Sequence, residues 1–146
     1  MTARVSSKLY TPDLLALAIG LSDFPLTDDL PLRAEARSRS CGSVITIGLA
    51  LDDHGLVSRV GMQIKACAIG QASAALLAQA VRGDIPGHIC QMAQALENWL
   101  AGTGDLPHWR GIAALAPARD YPGRHGALLL PWTAAASALS SAATHG

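Results

Sequence analysis

Hydrophobic and polar positions along this chain begin with a helical pattern. Thr11-Pro12-Asp13 has the features of a helix start: a threonine cap, a proline in the first turn and an acid near the positive end. Apolar residues then recur at helical spacing, at Leu14, Leu17, Ala18 and Leu21. The stretch Asp23–Pro31 contains two prolines and three aspartates and is expected to end this helix in a loop.

Three segments follow that alternate with a period of two, which is typical of β-strands. Arg33–Ser40 alternates small and charged residues, as exposed edge strands do. Val44–Leu51 and Leu56–Ala66 each place apolar residues on one face, and Asp52-Asp53-His54-Gly55 between them is a typical hairpin loop. The pattern predicts a three-stranded antiparallel sheet.

The second half of the chain is predicted to be helical. Helices are expected over Cys67–Val81, Ile85–Leu100, Trp109–Ala116 and Leu128–Leu139. Pro131 is expected to delay the start of the last one. The sequence has no internal repeat or domain boundary, so we expect a single domain over residues 1–146. This order predicts an α+β fold in which a helical C-terminal half packs on the sheet.

Composition narrows the classes of function. The 146 residues suffice for one core, and 11 basic and 11 acidic residues give a formal net charge of zero, which argues against a nucleic-acid partner. No apolar run is long enough to span a bilayer, and Met1–Leu9 lacks the apolar stretch of a signal peptide, so we expect a cytoplasmic protein without membrane contact. Phosphate-binding loops and nucleophile elbows do not occur in the sequence.

Two cysteines lie at predicted structural transitions. Cys67 lies where the third strand gives way to a helix, and backbone N–H groups and the helix dipole favour a thiolate at such a position. Cys41 lies between the first two strands, where Gly42 leaves room for a metal to approach. In a meander, the turn after the first strand and the end of the third strand meet at the same sheet edge. Each cysteine alone is more simply a buried filler, but the pair favours a site.

His125 is the third candidate ligand, in a segment predicted to be a flexible Gly-flanked loop, Pro122–Ala127, before an apolar helix. Imidazole suits zinc and iron, and an ordinary solvated loop histidine explains the pattern equally well. Cys90, within the third helix, is expected to fill the flank of that helix's core face. Three tryptophans beside apolar residues are expected to anchor packing: Trp99, Trp109 and Trp132.

Together these motifs resemble a known family. Cys41-Gly42 before a strand, then Ala66-Cys67-Ala68-Ile69 and Ala72-Ser73 on a helix, is similar to the U-type iron–sulfur cluster assembly scaffolds, the IscU, SufU and NifU N-terminal domain proteins. The resemblance extends over nearly the whole chain. It implies a scaffold rather than an enzyme. A cysteine desulfurase would deliver sulfur to it as persulfide, iron would join, and a transient cluster, of [2Fe–2S] type, would pass to acceptor proteins. Relatives also hold zinc at the same ligands.

Two positions depart from the pattern of this family. Ser43 stands where the family has an aspartate. The family's third cysteine opens the last helix, and alignment on Pro122 and Trp132 puts Ala127 there, or Gly126 with a one-residue slip. The resemblance therefore implies a divergent branch that lacks the third thiolate.

Three hypotheses follow from the residues that remain. The first is a cluster scaffold or carrier with Cys41 and Cys67 as ligands, completed by His125 and one more ligand or by a homodimer in which each chain gives two thiolates. The second is a non-assembling module of the same fold, which binds zinc through the same three residues or only contacts a desulfurase or acceptor. The third is a thiol enzyme with His125 as base, which needs hydrogen-bond reach and an orienting group. The retained cysteine pair favours the first.

Overall fold

The computed structural model describes residues 9–39 and 42–145, with side chains up to Ser140. The strands are β1 (Leu32–Arg37), β2 (Val44–Leu51) and β3 (Val57–Lys65), and the helices are α1 (Pro12–Gly20), α2 (Ala68–Ala80), α3 (Pro86–Leu100) and α4 (His125–His145). Leu21–Asp23, Ile112–Asp120 and Pro122–Arg124 are 3₁₀ segments. The predicted α+β class is confirmed. Within the described part of the chain, no helix is both long enough and apolar enough to cross a membrane.

The sheet is an antiparallel meander in the order β1-β2-β3. Its register pairs Arg37 with Val44 and Val44 with Lys65. The β1–β2 turn and the end of β3 therefore lie at the same end of the sheet, as the meander predicts. The alternation of β2 turns its branched residues to the core, where three are fully buried: Ile45, Ile47 and Leu49.

The loop between α1 and β1 crosses the opposite face of the sheet. Gly61 permits this close approach, because a Cβ at that position would collide with the carbonyl oxygen of Pro25. Arg59 holds the loop by donating to Asp29 Oδ2 at 2.6 Å. This hydrogen bond keeps the pKa of the Asp29 carboxyl well below its usual range. The loop therefore covers this face of the sheet at the middle of β3. The same face is exposed near the end of β3 that leads into α2.

Ser73 joins α2 to α4 inside the core. It is a polar residue with 0% exposure, and its hydroxyl donates to the carbonyl oxygen of Leu128 at 2.6 Å while accepting from Trp132 Nε1 at 2.9 Å. Trp109 packs edge-on against Trp132, with 4.9 Å between ring centroids, and donates to the carbonyl oxygen of Leu76 at 2.7 Å. The predicted packing role of these two tryptophans is confirmed, and each also ties its helix or loop to α2.

The last helix begins earlier than predicted. α4 starts at His125 rather than at Leu128, and Pro131 lies inside it rather than before it. A proline at this position removes the N–H that would pair with the carbonyl of Ala127. That carbonyl lies against Gly70 of α2, with its oxygen 3.3 Å from where a Cβ on Gly70 would be. The carbonyl that loses its helical partner therefore lies at the contact between α2 and α4, which a rule based on local sequence cannot foresee.

The helix predicted over Trp109–Ala116 is also displaced. Gly111 adopts a φ of +82°, which interrupts any helix that begins at Trp109. A 3₁₀ helix forms after it, over Ile112–Asp120, and continues through Pro117. A Cβ at this position would also lie 2.7 Å from Leu76 Cδ2, so a larger residue would require the Leu76 side chain to shift.

We expect Ser73→Ala to destabilise the fold. The change leaves the Trp132 N–H and the Leu128 carbonyl without their shared partner in the core. Each buried group left unsatisfied costs ~1–3 kcal/mol, so the free energy of unfolding should fall by about 2–4 kcal/mol. Urea denaturation followed by tryptophan fluorescence measures it. Ser140→Ala, at an exposed position of α4, is the control and should change stability by less than about 0.5 kcal/mol. Equal effects of the two substitutions would contradict the role of Ser73.

Candidate functional site

Cys67 is the N-cap residue of α2, as the sequence predicts. Its backbone is extended, with φ −66° and ψ 171°, and a single residue separates it from the end of β3. The thiol is half-buried, is not in a disulfide and makes no capping hydrogen bond. The N–H groups of the first helical turn have no intrahelical partner. The thiol therefore lies at the positive end of a helix with its sulfur available for another bond.

The β1–β2 turn lies at this same end of the sheet. Ser38 N–H donates to the carbonyl oxygen of Ser43 at 2.9 Å and closes the turn. Gly42 adopts a φ of +71°, and a Cβ there would have nothing within 4 Å, so the space beside it is open as expected. Cys41 itself lies outside the described residues, and its part in the site stays a prediction. Val44, the first residue of β2 after this turn, pairs with Arg37 on one side and with Lys65 on the other. Lys65 ends β3, two residues before Cys67, so the turn and Cys67 lie at the same end of the sheet.

The first turns of α2 and α4 touch each other. A Cβ on Gly70 would lie 2.8 Å from the Cβ of Ala66 and 3.3 Å from the Cβ of Ala127, so only glycine allows this approach. Further along both helices, Ser73 binds the carbonyl of Leu128. The contacts advance in the same direction along the two helices, and the helices therefore begin at the same end of the molecule.

His125, the first residue of α4, is held in one orientation. Its Nε2 lies 2.8 Å from the carbonyl oxygen of Arg119. Because a carbonyl can only accept, Nε2 carries the hydrogen in this bond, and the lone pair of the neutral ring is on Nδ1. Histidines that bind metals are commonly fixed in this way through their other nitrogen. The prediction of a Gly-flanked loop was wrong, because this segment is helical. As the first residue of α4, His125 lies at the end of the molecule where Cys67 also lies.

Ala127, at the position where the resemblance expects a third thiolate, is packed in the core of this chain. Ala127 has 0% exposure, and Ser43, at the position of the family's aspartate, has 4%. Among residues 9–39 and 42–145, no group of three or more His, Cys, Asp or Glu side chains that could hold a metal ion occurs. Cys67 and His125 are thus the described candidates at this end, and a site with three ligands requires Cys41.

Sequence reasoning did not single out two side chains that the structure makes prominent. His88 Nδ1 lies 2.6 Å from Asp84 Oδ2, and their spacing of four residues was the available signal. Gln71 Nε2 donates to the carbonyl oxygen of Ala66 at 3.0 Å, and nothing in the local pattern indicates this bond. Cys90 is half-buried on α3, in agreement with its predicted role as a filler.

Comparisons with known proteins place this arrangement in context. No protein-family model matches the sequence. The Thermotoga maritima protein named iron–sulfur cluster assembly scaffold protein IscU is 27% identical over 113 residues, which cover 77% of this chain and 79% of that protein. The crystal structure of a nitrogen-fixing NifU-like protein (N-terminal) from Brucella abortus has a TM-score of 0.85 at 28% identity, covering 97% of this chain and 99% of that chain.

A third protein shares the fold at lower identity. The crystal structure of a putative iron–sulfur cluster assembly scaffold protein for the SUF system, from Fervidobacterium islandicum AW-1, has a TM-score of 0.82 at 22% identity and covers 92% of this chain and 98% of that chain. The relative at 27% identity and the structural neighbour at 28% identity agree with the family that the cysteine motifs resemble. They support the resemblance of this chain to the IscU/SufU/NifU-like iron–sulfur cluster assembly scaffold proteins.

Proposed function

We propose that this chain accepts sulfur and iron at Cys41 and Cys67, carries the resulting iron–sulfur cluster with His125 as a further ligand, and passes it to acceptor proteins. One observation carries the proposal. The closed β1–β2 turn, the N-terminus of α2 and the N-terminus of α4 lie at one end of the molecule. These three segments are the ones that contain the proposed ligands.

The chemistry of these side chains suits the cargo. Thiolates and imidazole are ligands for iron–sulfur clusters and for zinc. Cys67 is half-buried, so its sulfur is accessible to a donor while one side of it is shielded by protein. That sulfur lies at the positive end of the α2 helix dipole, which stabilises a negatively charged cargo bound there. Three ligands from one chain leave a fourth position open, and a cluster held in this way is readily released.

The open fourth position is consistent with the partners proposed for this chain. A cysteine desulfurase supplies the sulfur, and an acceptor protein takes over the cluster by offering its own ligands. Alternatively, a second copy of the chain supplies the missing ligands, so that two thiolates from each protomer hold one cluster of [2Fe–2S] type. In each case the protein binds and transfers a cargo, and we propose that it acts in the cytoplasm without turnover chemistry of its own.

A zinc-binding module of the same fold is the second candidate. It is favoured by Ala127, because alanine supplies no thiolate at the position where the resemblance expects the third cysteine. Two cysteines and a histidine with one further ligand make an ordinary tetrahedral zinc site. The two candidates share their ligands and differ in whether the site accepts a cluster.

Loss of the Cys67 sulfur should abolish cargo binding. After anaerobic reconstitution with iron and sulfide, we expect the wild-type protein to show visible cluster absorption and Cys67→Ser to show none, because serine is a poor ligand for soft iron–sulfur centres. Cys90→Ser is the matched control and should behave as wild type. A wild-type protein that retains one zinc per chain and gains no cluster absorption would support the zinc module instead. Equal absorption of Cys67→Ser and wild type would refute both.

Restoring a thiol at position 127 should strengthen the site. We expect Ala127→Cys to tighten zinc binding by more than about 10-fold, because a further thiolate at the start of α4 adds a strong ligand. Competition with a chromophoric chelator measures the affinity. Ala134→Cys, also fully buried on α4 but further along the helix, controls for an added buried thiol. No gain over Ala134→Cys would mean that the start of α4 does not reach the metal.

A further inference from the structure

Gln71 binds the backbone at two successive residues around Cys67. It lies at the end of the first turn of α2, and its side-chain Nε2 donates to the carbonyl oxygen of Ala66 at 3.0 Å. Its backbone N–H donates to the carbonyl oxygen of Cys67 at 3.0 Å. One glutamine therefore restrains both carbonyl groups that flank the α-carbon of Cys67.

The side-chain bond is not one that the helix requires. The backbone bond from Gln71 to Cys67 is the ordinary helical one between residues four apart. The carbonyl of Ala66, in contrast, belongs to the peptide group that joins β3 to α2. A hydrogen bond to this carbonyl restrains the rotation of that peptide group and so the direction of the Cα–Cβ bond of Cys67. The thiol makes no capping bond that would fix it independently.

Packing around Gln71 supports an ordered bond. Gly70 lets residue 66 approach the helix, since a Cβ on Gly70 would lie 2.8 Å from the Cβ of Ala66. Gln71 is half-buried and lines an open groove of about 300 Å³ whose other walls include Ile19, Phe24 and Met62. A hydrogen bond beside apolar side chains is stronger than one fully surrounded by water. Packing on one side of Gln71 therefore favours an ordered bond.

We propose that Gln71 is a positioning residue for Cys67, whose side-chain amide sets the direction in which the thiol meets a bound metal or cluster. The proposal rests on the proposed function, because it requires Cys67 to act as a ligand. Removing a group that orients a metal ligand typically weakens metal binding by about 10-fold or more. We expect an effect of this size from a residue that does not itself bind the metal.

Zinc affinity and the cobalt spectrum of Gln71→Leu test the proposal. We expect Gln71→Leu to weaken zinc binding by about 10-fold and to reduce the thiolate-to-cobalt absorption of the cobalt-loaded protein. Gln79→Leu, at an exposed position of the same helix, should change neither. Gln71→Lys keeps an N–H donor on a long side chain and should recover most of the affinity. Thermal unfolding of each metal-free variant separates positioning from stability.

Three results would overturn the proposal: wild-type affinity in Gln71→Leu, an equal loss in Gln79→Leu, or a loss matched by a fall in metal-free stability that Gln71→Lys does not reverse. If the wild-type protein binds neither zinc nor cobalt and gains no cluster on reconstitution, the proposed function fails, and the rate of Cys67 alkylation by iodoacetamide then decides. A rate slowed about threefold in Gln71→Leu but not in Gln79→Leu supports positioning of the thiol at the helix terminus. Equal rates in all variants refute it.

Discussion

The hydroxyl of Ser73 is the point on which the relation between α2 and α4 depends. It donates to one main-chain carbonyl of α4 and accepts from the Trp132 indole, and all of its surroundings are buried. A buried polar group that satisfies two partners at once restricts rotation and sliding of both helices. α4 in turn packs on β1 and β2, and α2 continues from β3. The bond therefore keeps the starts of both helices at the end of the sheet where the β1–β2 turn lies.

The same helix contact explains how this chain differs from the pattern it resembles. Close approach of α2 and α4 depends on small residues at the contact, Gly70 on one helix and Ala127 on the other. Ala127 contributes to this contact and has no side-chain atom that could bind a metal. His125, at the start of α4, keeps a nitrogen lone pair available because the Arg119 carbonyl binds its other nitrogen. The fold matches that of the NifU-like neighbour, and the ligands proposed for it are Cys41, Cys67 and His125.

Much of this architecture could be predicted from the sequence because local patterns and global packing agree. The alternation in β2, the hairpin before β3 and the cap at Thr11 each specify one structure, and the meander follows from them. The position of Cys67 at a helix start follows from the same reasoning. A strand pattern and a helix pattern meet at this residue, so the sequence leaves little choice for where the helix begins.

The features that could not be predicted depend on contacts between distant parts of the chain. Pro131 is expected to delay the start of the last helix, yet α4 contains it, and the affected carbonyl lies against Gly70 of α2. Ser73 and Gln71 look like ordinary helical residues until the helices and the β3–α2 junction are assembled. Cys41 remains a prediction of the sequence that the position of its turn supports.

X-ray absorption at the zinc edge of the zinc-loaded protein identifies the atoms that bind the metal. We expect sulfur ligands from Cys41 and Cys67 at about 2.3 Å and an imidazole nitrogen at about 2.0–2.1 Å. The imidazole signal should disappear in His125→Ala. A shell of oxygen and nitrogen alone, or an imidazole signal that survives the substitution, would show that these three residues do not form the site.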